Sequence, residues 1–124
     1  MPLLNVHIMQ GYAPAAKTAL LKALSDAVVQ SIGAPLASVR AILQEYAAAD
    51  VIVAGEVGAA MALVNVDLIA GRTVELKAAL ILALNQAVSV SLGMDGKDVR
   101  VVLRDIPKTD MGVANGLSAM AAGR

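Results

Sequence analysis

The apolar positions of this chain change period along its length, and the same change occurs twice. From Leu3 to Met9 an apolar run ends at Gly11, and from Leu63 to Ile69 a second run ends at Gly71. Runs of this length with a glycine stop predict strands. Behind each strand, apolar residues recur with helical spacing, first at positions 20, 21, 24, 27, 28 and 32 and then at 80, 81, 84, 87, 88 and 92. Gly33 and Gly93 follow where a glycine closes a helix. Val39 to Leu43 and Val99 to Leu103 are short, β-rich runs and predict second strands.

The duplicated pattern reflects a duplicated sequence. A shift of sixty residues places Leu3 on Leu63, Asn5 on Asn65, Gly11 on Gly71, Lys17 on Lys77, Leu24 on Leu84, Val28 on Val88, Arg40 on Arg100 and Leu43 on Leu103. Identity is roughly a third without gaps, the mark of a tandem repeat. The chain thus divides into two β-α-β units, 1–60 and 61–124, each with two parallel strands through a right-handed crossover. Units of about 60 residues bury too little surface to stand alone, so both belong to one domain. The expected fold is α/β, a four-stranded sheet with two helices on one face and the other face left for subunit contacts. The connector from Ala47 to Ala60 contains Val51 to Val53 and is expected to add a short edge strand. Met111 to Arg124, rich in Gly and Ala, is expected to loop over a neighbouring chain or to fray.

Composition narrows the function. The chain of 124 residues is 58% hydrophobic, with two Tyr and no Phe or Trp, a surplus of aliphatic surface that assembly would cover. Ten basic and ten acidic residues cancel, which argues against nucleic acid or an anionic membrane as partner. The absence of cysteine excludes thiol chemistry and disulfides, and a single histidine, His7, excludes a histidine-rich metal site within one chain. The N-terminus has no basic segment followed by a long apolar one, which points to the cytoplasm. The apolar window from Ala78 to Met94 resembles a membrane span, but Asn85, Gln86, Ser89 and Ser91 interrupt it, and a buried helix with one polar stripe is the expectation.

No nucleophile elbow, phosphate loop or metal-ligand pair is present, so the search for chemistry moves to the start of the chain. Pro2 follows Met1 directly and precedes the first strand. Removal of Met1, which a small second residue favours, would leave a rigidly held secondary amine. An ordinary α-amino group titrates at about 7.7–8.0, and an apolar pocket or nearby cations lower that value. Such an amine serves near neutral pH as a general base or as a nucleophile towards carbonyls.

Three stretches, Pro2 in MPLLNVHIMQG, APLASVR at Ala34 to Arg40 and AGE at Ala54 to Glu56, resemble the 4-oxalocrotonate tautomerase group of the tautomerase superfamily in its fused, tandem form. The second copy matches through VNVDLIAGR at Val64 to Arg72, through Lys77 and through DVRVVL at Asp98 to Leu103. The resemblance implies a β-α-β building block, Pro2 as general base, and arginines that bind substrate carboxylates. It needs neither metal nor organic cofactor. The family's arginine behind the first-strand glycine falls on Tyr12 in copy one and on Arg72 in copy two; that of the second-strand block falls on Arg40 and Arg100. Ala62 stands where copy one has Pro2, so one copy supplies the base while both supply arginines. The family's pocket aromatic is replaced by Val51 and Met111. A homotrimer would reproduce a six-unit ring with three proline sites. The activity implied is keto-enol tautomerisation of a small 2-hydroxy-dienoate or 2-oxo acid, of the 2-hydroxymuconate or phenylenolpyruvate kind met in degradation of aromatic compounds.

Two other readings stand beside it. Relatives dehalogenate or decarboxylate with a protonated proline and a carboxylate that activates water, for which Glu45, Glu56 and Asp67 are available. A non-catalytic assembly protein would carry Pro2 incidentally. Ordinary structural roles also exist for the candidates: Arg40 and Arg100 as edge charges paired with Glu45 or Asp105, Arg72 as a solvated loop residue, and Lys17 and Lys77 as solvent-facing helix residues.

Overall fold

In the computed structural model, which describes residues 2–124, strand β1 (Leu3–Met9), helix α1 (Pro14–Ile32) and strand β2 (Arg40–Tyr46) form the first unit. A small hairpin of β3 (Ile52–Val53) and β4 (Glu56–Val57) leads to the second unit, β5 (Ala62–Ile69), α2 (Val74–Leu92) and β6 (Val99–Ile106). β7 (Gly112–Ala114) and β8 (Leu117–Ser118) make a second hairpin after β6. Both helices stop at a glycine in the left-handed conformation, Gly33 at φ 68° and Gly93 at φ 63°, which an L side chain rarely adopts. Pro14 opens α1, where a missing N–H costs nothing, and the Thr73 hydroxyl caps α2 by accepting from the Leu76 N–H at 3.2 Å.

The main sheet has the order β2-β1-β5-β6. β1 pairs parallel with β2 and β5 parallel with β6, as the crossovers require. The two units meet through β1 and β5, which run antiparallel with Asn5 opposite Asn65. Because these residues are also repeat partners, the register places a pseudo-twofold axis between them. Two equivalent corners result. The N-terminal end of each unit's first strand lies beside the C-terminal end of the other's.

Alternation along the strands decides which face is covered. Leu4, Val6 and Ile8 of β1 and Ala62, Val64, Val66 and Leu68 of β5 are buried, together with Leu20, Leu24 and Val28 of α1 and Leu80, Leu84 and Val88 of α2. This one cluster holds the domain together and contains no aromatic ring among its fully buried members. Each such aliphatic side chain contributes about 1.5–3 kcal/mol. The opposite face carries Leu3, Asn5 and His7 of β1, Leu63, Asn65 and Asp67 of β5, and the exposed Ile42 and Val102 of the outer strands. Both helices thus lie on one face, as expected.

Four expectations need correction. β2 and β6 run on to Tyr46 and Ile106, since their partners β1 and β5 offer backbone groups that far. The connector adds no edge strand to the main sheet; Ala54, at φ 51°, and Gly55 turn it back on itself as a separate hairpin. The final segment does not fray, because Ala119 N–H donates to Met111 C=O at 2.8 Å and Met120 N–H to Lys108 C=O at 3.1 Å. Helix α2 is not buried around its circumference. Leu80, Leu84 and Val88 face the sheet, whereas Val74, Leu82 and Val90 are exposed. By length and composition it could cross a membrane, yet its buried stripe belongs to the shared core.

Leu24 and Leu84 occupy equivalent positions in the two units and are both fully buried. Truncation of either to alanine is expected to cost about 2–5 kcal/mol, and similar amounts for the two. Urea unfolding at one fixed chain concentration measures both; a large inequality would mean that the units do not share one core.

Candidate active site

The antiparallel seam determines what surrounds Pro2. Leu3 lies opposite Asp67, so Pro2 adjoins the end of β5, where Leu68, Ile69, Ala70, Gly71 and Arg72 leave the sheet. On its other side β2 begins, and the Arg40 N–H donates to the Pro2 carbonyl at 3.1 Å. Pro2 is buried at this corner. Removal of Met1 concerns a residue outside those described.

Beside this corner lies a cavity of about 660 Å³. Pro35, Ala37 and Ser38, which lead into β2, form one wall, and Ile69 to Arg72, which leave β5, form another. Lys108, just beyond β6, and Arg124 complete it, while Pro2 itself does not line it. Gly71 makes the exit turn at φ 127°, a conformation a larger residue would strain. The turn sets Arg72 half-buried, with its Nη1 donating to the Ile69 carbonyl at 3.1 Å. One bond to a neutral carbonyl leaves most of the guanidinium's donors available for an anion.

The three candidate arginines do not converge within one chain. Arg72 lines the cavity. Arg40 starts at the same corner, but its side chain belongs to the uncovered sheet face with Ile42 and Gln44. Arg100 sits at the other corner: it pairs with Leu63, while Pro2 adjoins Leu68, a separation of about 17 Å along the strand at roughly 3.3 Å per residue. There it accompanies Ala62 and the end of β1.

The expected pairings of Arg40 with Glu45 and Arg100 with Asp105 are not formed. Glu45 is taken by Lys17 at 2.9 Å and Asp105 by Lys77, equivalent ion pairs in the two units, so these lysines tie each helix start to a strand end. Arg104 holds Asp67 at 2.8 Å. Among the described residues, Arg40, Arg72 and Arg100 have no carboxylate within 4.0 Å. Of the possible water-activating carboxylates, Glu45 and Asp67 are thus occupied, and Glu56 stands in the β3-β4 hairpin. His7 is hydrogen-bonded to the Tyr46 hydroxyl towards the Ala62 corner, away from Pro2.

The family model for tautomerase enzymes matches this chain twice in succession, over residues 2–61 and again over 63–119. The chain belongs to the tautomerase family. It is an isomerase of the 4-oxalocrotonate tautomerase type in fused form. A solved fused 4-OT, a wild type in a symmetric trimer, is 98% identical to this tautomerase over 98% of this chain and 99% of that one, with a TM-score of 0.97. A protein inactivated by 2-oxo-3-pentynoate is 43% identical over the same shares, with a TM-score of 0.96. Single-unit relatives align with about half of the chain. The 2-hydroxymuconate tautomerase of Pseudomonas putida is 38% identical over 45% of this chain and 89% of its own length. A probable tautomerase of Ralstonia nicotianae is 48% identical over 44% and 77%.

Two cavity residues, Lys108 and Arg124, escape a reading of the sequence for family motifs. The available signal is the repeat itself, since Lys108 has Ala48 as its partner, a charge gained at the exit of one outer strand and not the other.

With no carboxylate partner and at most one bond to the backbone, the side chains of Arg40, Arg72 and Arg100 do not hold the fold. Their single alanine variants are expected to unfold within about 1 kcal/mol of the parent. Thermal unfolding checks this, and a loss of several kcal/mol would assign them a structural duty.

Proposed function

We propose that this tautomerase moves a proton between the enol oxygen and a distant carbon of a small conjugated 2-hydroxy-dienoate, or the equivalent 2-oxo acid, with Pro2 as general base. The carrying observation is that Pro2, whose nitrogen loss of Met1 would free, adjoins the end of β5 from which Arg72 enters a cavity. The P. putida relatives, named for 2-hydroxymuconate, support that compound as substrate, and phenylenolpyruvate is the alternative we infer from the same enol chemistry.

The chemistry follows from a neutral secondary amine. Pro2 accepts the proton of the 2-hydroxyl group while the electron pair moves through the conjugated system, and then returns that proton to the far carbon, leaving a 2-oxo acid. Negative charge develops on the oxygen and along the chain during the transfer. Arginines drawn from Arg72, Arg40 and Arg100 hold the carboxylate in two-point contact and stabilise that charge, more strongly in a site closed to water. Removal from water favours the uncharged amine, and Pro2 is buried at its corner.

The placement of the arginines makes assembly part of the reading. Arg72 serves the proline of its own chain, Arg100 lies at the far corner and reaches a proline only across a subunit boundary, and Arg40 stands on the uncovered sheet face where a neighbouring subunit would pack. A homotrimer in the cytoplasm, with three proline sites, is the arrangement we infer, in keeping with the symmetric trimer of the fused relative. Residues 1–60 then supply the base, and 61–124 supply Arg72 and Arg100 but no amine, since the Ala62 nitrogen lies within a peptide bond.

Pro2→Ala is expected to lower turnover of 2-hydroxymuconate by about a hundredfold or more, the range lost with a general base. A stopped or continuous ultraviolet assay follows the dienol, with intact mass run on the same sample to establish that Met1 is gone. An undiminished rate in processed Pro2→Ala enzyme would remove Pro2 from the reaction.

A further inference from the structure

We propose that Asn115 is a site of spontaneous covalent modification: its side-chain amide is lost to attack by the Gly116 backbone nitrogen, and the isoaspartyl product opens the hairpin that anchors the final turn. This chemistry is independent of the reaction assigned to Pro2. Asn115 and Gly116 form the two-residue turn between β7 and β8, since Ala114 lies opposite Leu117. Both have positive φ, 50° and 81°. Such a turn favours asparagine followed by glycine, because asparagine tolerates the left-handed region better than most side chains.

The same turn exposes the reacting atoms. Asn115 and Gly116 are exposed, and a Cβ built on Gly116 would meet nothing within 4 Å. No side-chain hydrogen bond among the described residues engages the Asn115 amide; the hydroxyl of nearby Ser118 accepts from the Ala121 N–H instead. The hairpin is lightly held, with β7 and β8 paired at Gly112 with Ser118 and at Ala114 with Leu117 and an irregular register between. Its tip is therefore free to bring the Asn115 Cγ towards the Gly116 nitrogen.

Solvent base removes the Gly116 N–H proton, and the nitrogen bonds to Asn115 Cγ. The Cγ–Nδ2 bond breaks, and ammonia leaves with a proton returned by solvent, so that a five-membered imide remains. Water then opens the imide. Cleavage between Cγ and the nitrogen gives aspartate, whereas cleavage between the Asn115 main-chain carbonyl carbon and the nitrogen routes the chain through Cβ and Cγ and gives isoaspartate. Either product adds one negative charge to a chain whose formal charge is zero. Only the isoaspartyl form lengthens the main chain, by one methylene, and a two-residue turn has no room for it. The pairing of Ala114 with Leu117 is then lost. Behind it the Ala119 N–H donates to the Met111 carbonyl at 2.8 Å and fixes the fully buried Ala119, from which the final turn reaches the cavity at Arg124.

The chain carries its own comparisons. The first hairpin turns through Ala54 and Gly55 at φ 51° and 83°, the same conformation with no side-chain amide to react. Asn5 and Asn65 sit in the two central strands, paired on both sides and followed by the buried, β-branched Val6 and Val66. Asn85 lies inside α2, donates to the Gly96 carbonyl at 2.9 Å and is followed by Gln86.

The test incubates the assembled enzyme in warm, mildly alkaline buffer and maps its peptides over days by mass spectrometry, with fragmentation that separates the two isomers. The peptide carrying Asn115 should convert from amide to acid, chiefly as isoaspartate, while those carrying Asn5, Asn65 and Asn85 remain amides. Hydrogen exchange on the aged sample should show protection at Ala119 lost in proportion to the isoaspartate content. Asn115→Asp, which carries the charge without the methylene, should keep that protection, and Asn115→Ala, which copies the first hairpin, should keep it and not age. An Asn115 amide that lasts as long as the other three overturns the proposal, and so does isoaspartate at 115 with the Ala119 protection intact.

Discussion

The antiparallel pairing of β1 with β5 is the constraint on which the rest of this structure depends. Asn5 opposite Asn65 puts the two repeats in a relation that neither crossover could create alone. Shifting that register by one residue would turn Leu4, Val6 and Ile8 out of the core and bring Asn5 and His7 in. The same register decides that the start of β1 meets the end of β5, so a proline and an arginine seventy positions apart come to one corner. Core and candidate site are two consequences of one seam.

The seam makes two corners of equal geometry, and the side chains make them unequal. At one, Pro2 accompanies Arg72, Lys108 and Arg124; at the other, Ala62 accompanies Tyr12, Ala48, Lys97 and the acids Asp95 and Asp98. The structural ion pairs do not share this difference. Lys17 with Glu45 and Lys77 with Asp105 are true repeat equivalents, and so are the buried Leu20, Leu24 and Val28 with Leu80, Leu84 and Val88. Divergence between the units is found in residues around the cavity, while those that build the shared core keep their character.

Much of this was legible from spacing. The strand and helix periods, the two glycine stops and the sixty-residue repeat led to the correct architecture because each rests on local chemistry: alternation, helical periodicity and a left-handed cap. The main-sheet strand ends at Tyr46 and Ile106 were not legible, since an outer strand runs as far as its neighbour offers backbone groups. Nor was the place of Arg100. Its sequence context matches that of Arg40, and only the strand pairing sends the two to opposite corners. Lys108 and Arg124 lay outside any motif because their position comes from hydrogen bonds that fold the final turn back on the β6 exit.

Fusion also limits what the second corner can become. A catalytic proline of the proposed kind must carry a free secondary amine, and position 62 is joined to Met61 by a peptide bond whatever residue stands there. An amide nitrogen has its lone pair drawn into the carbonyl and cannot act as a base. Proline at 62 would restore a side chain and no chemistry, so each duplicated chain holds at most one site of this type. Arg100 apart, which the proposed assembly gives to a neighbouring chain's site, the side chains of the Ala62 corner then have no amine of their own to serve. That is the physical ground on which Tyr12 and Ala48 can replace a cation and Asp95 and Asp98 can add negative charge, while the seam, the core and the paired lysines stay common to both halves.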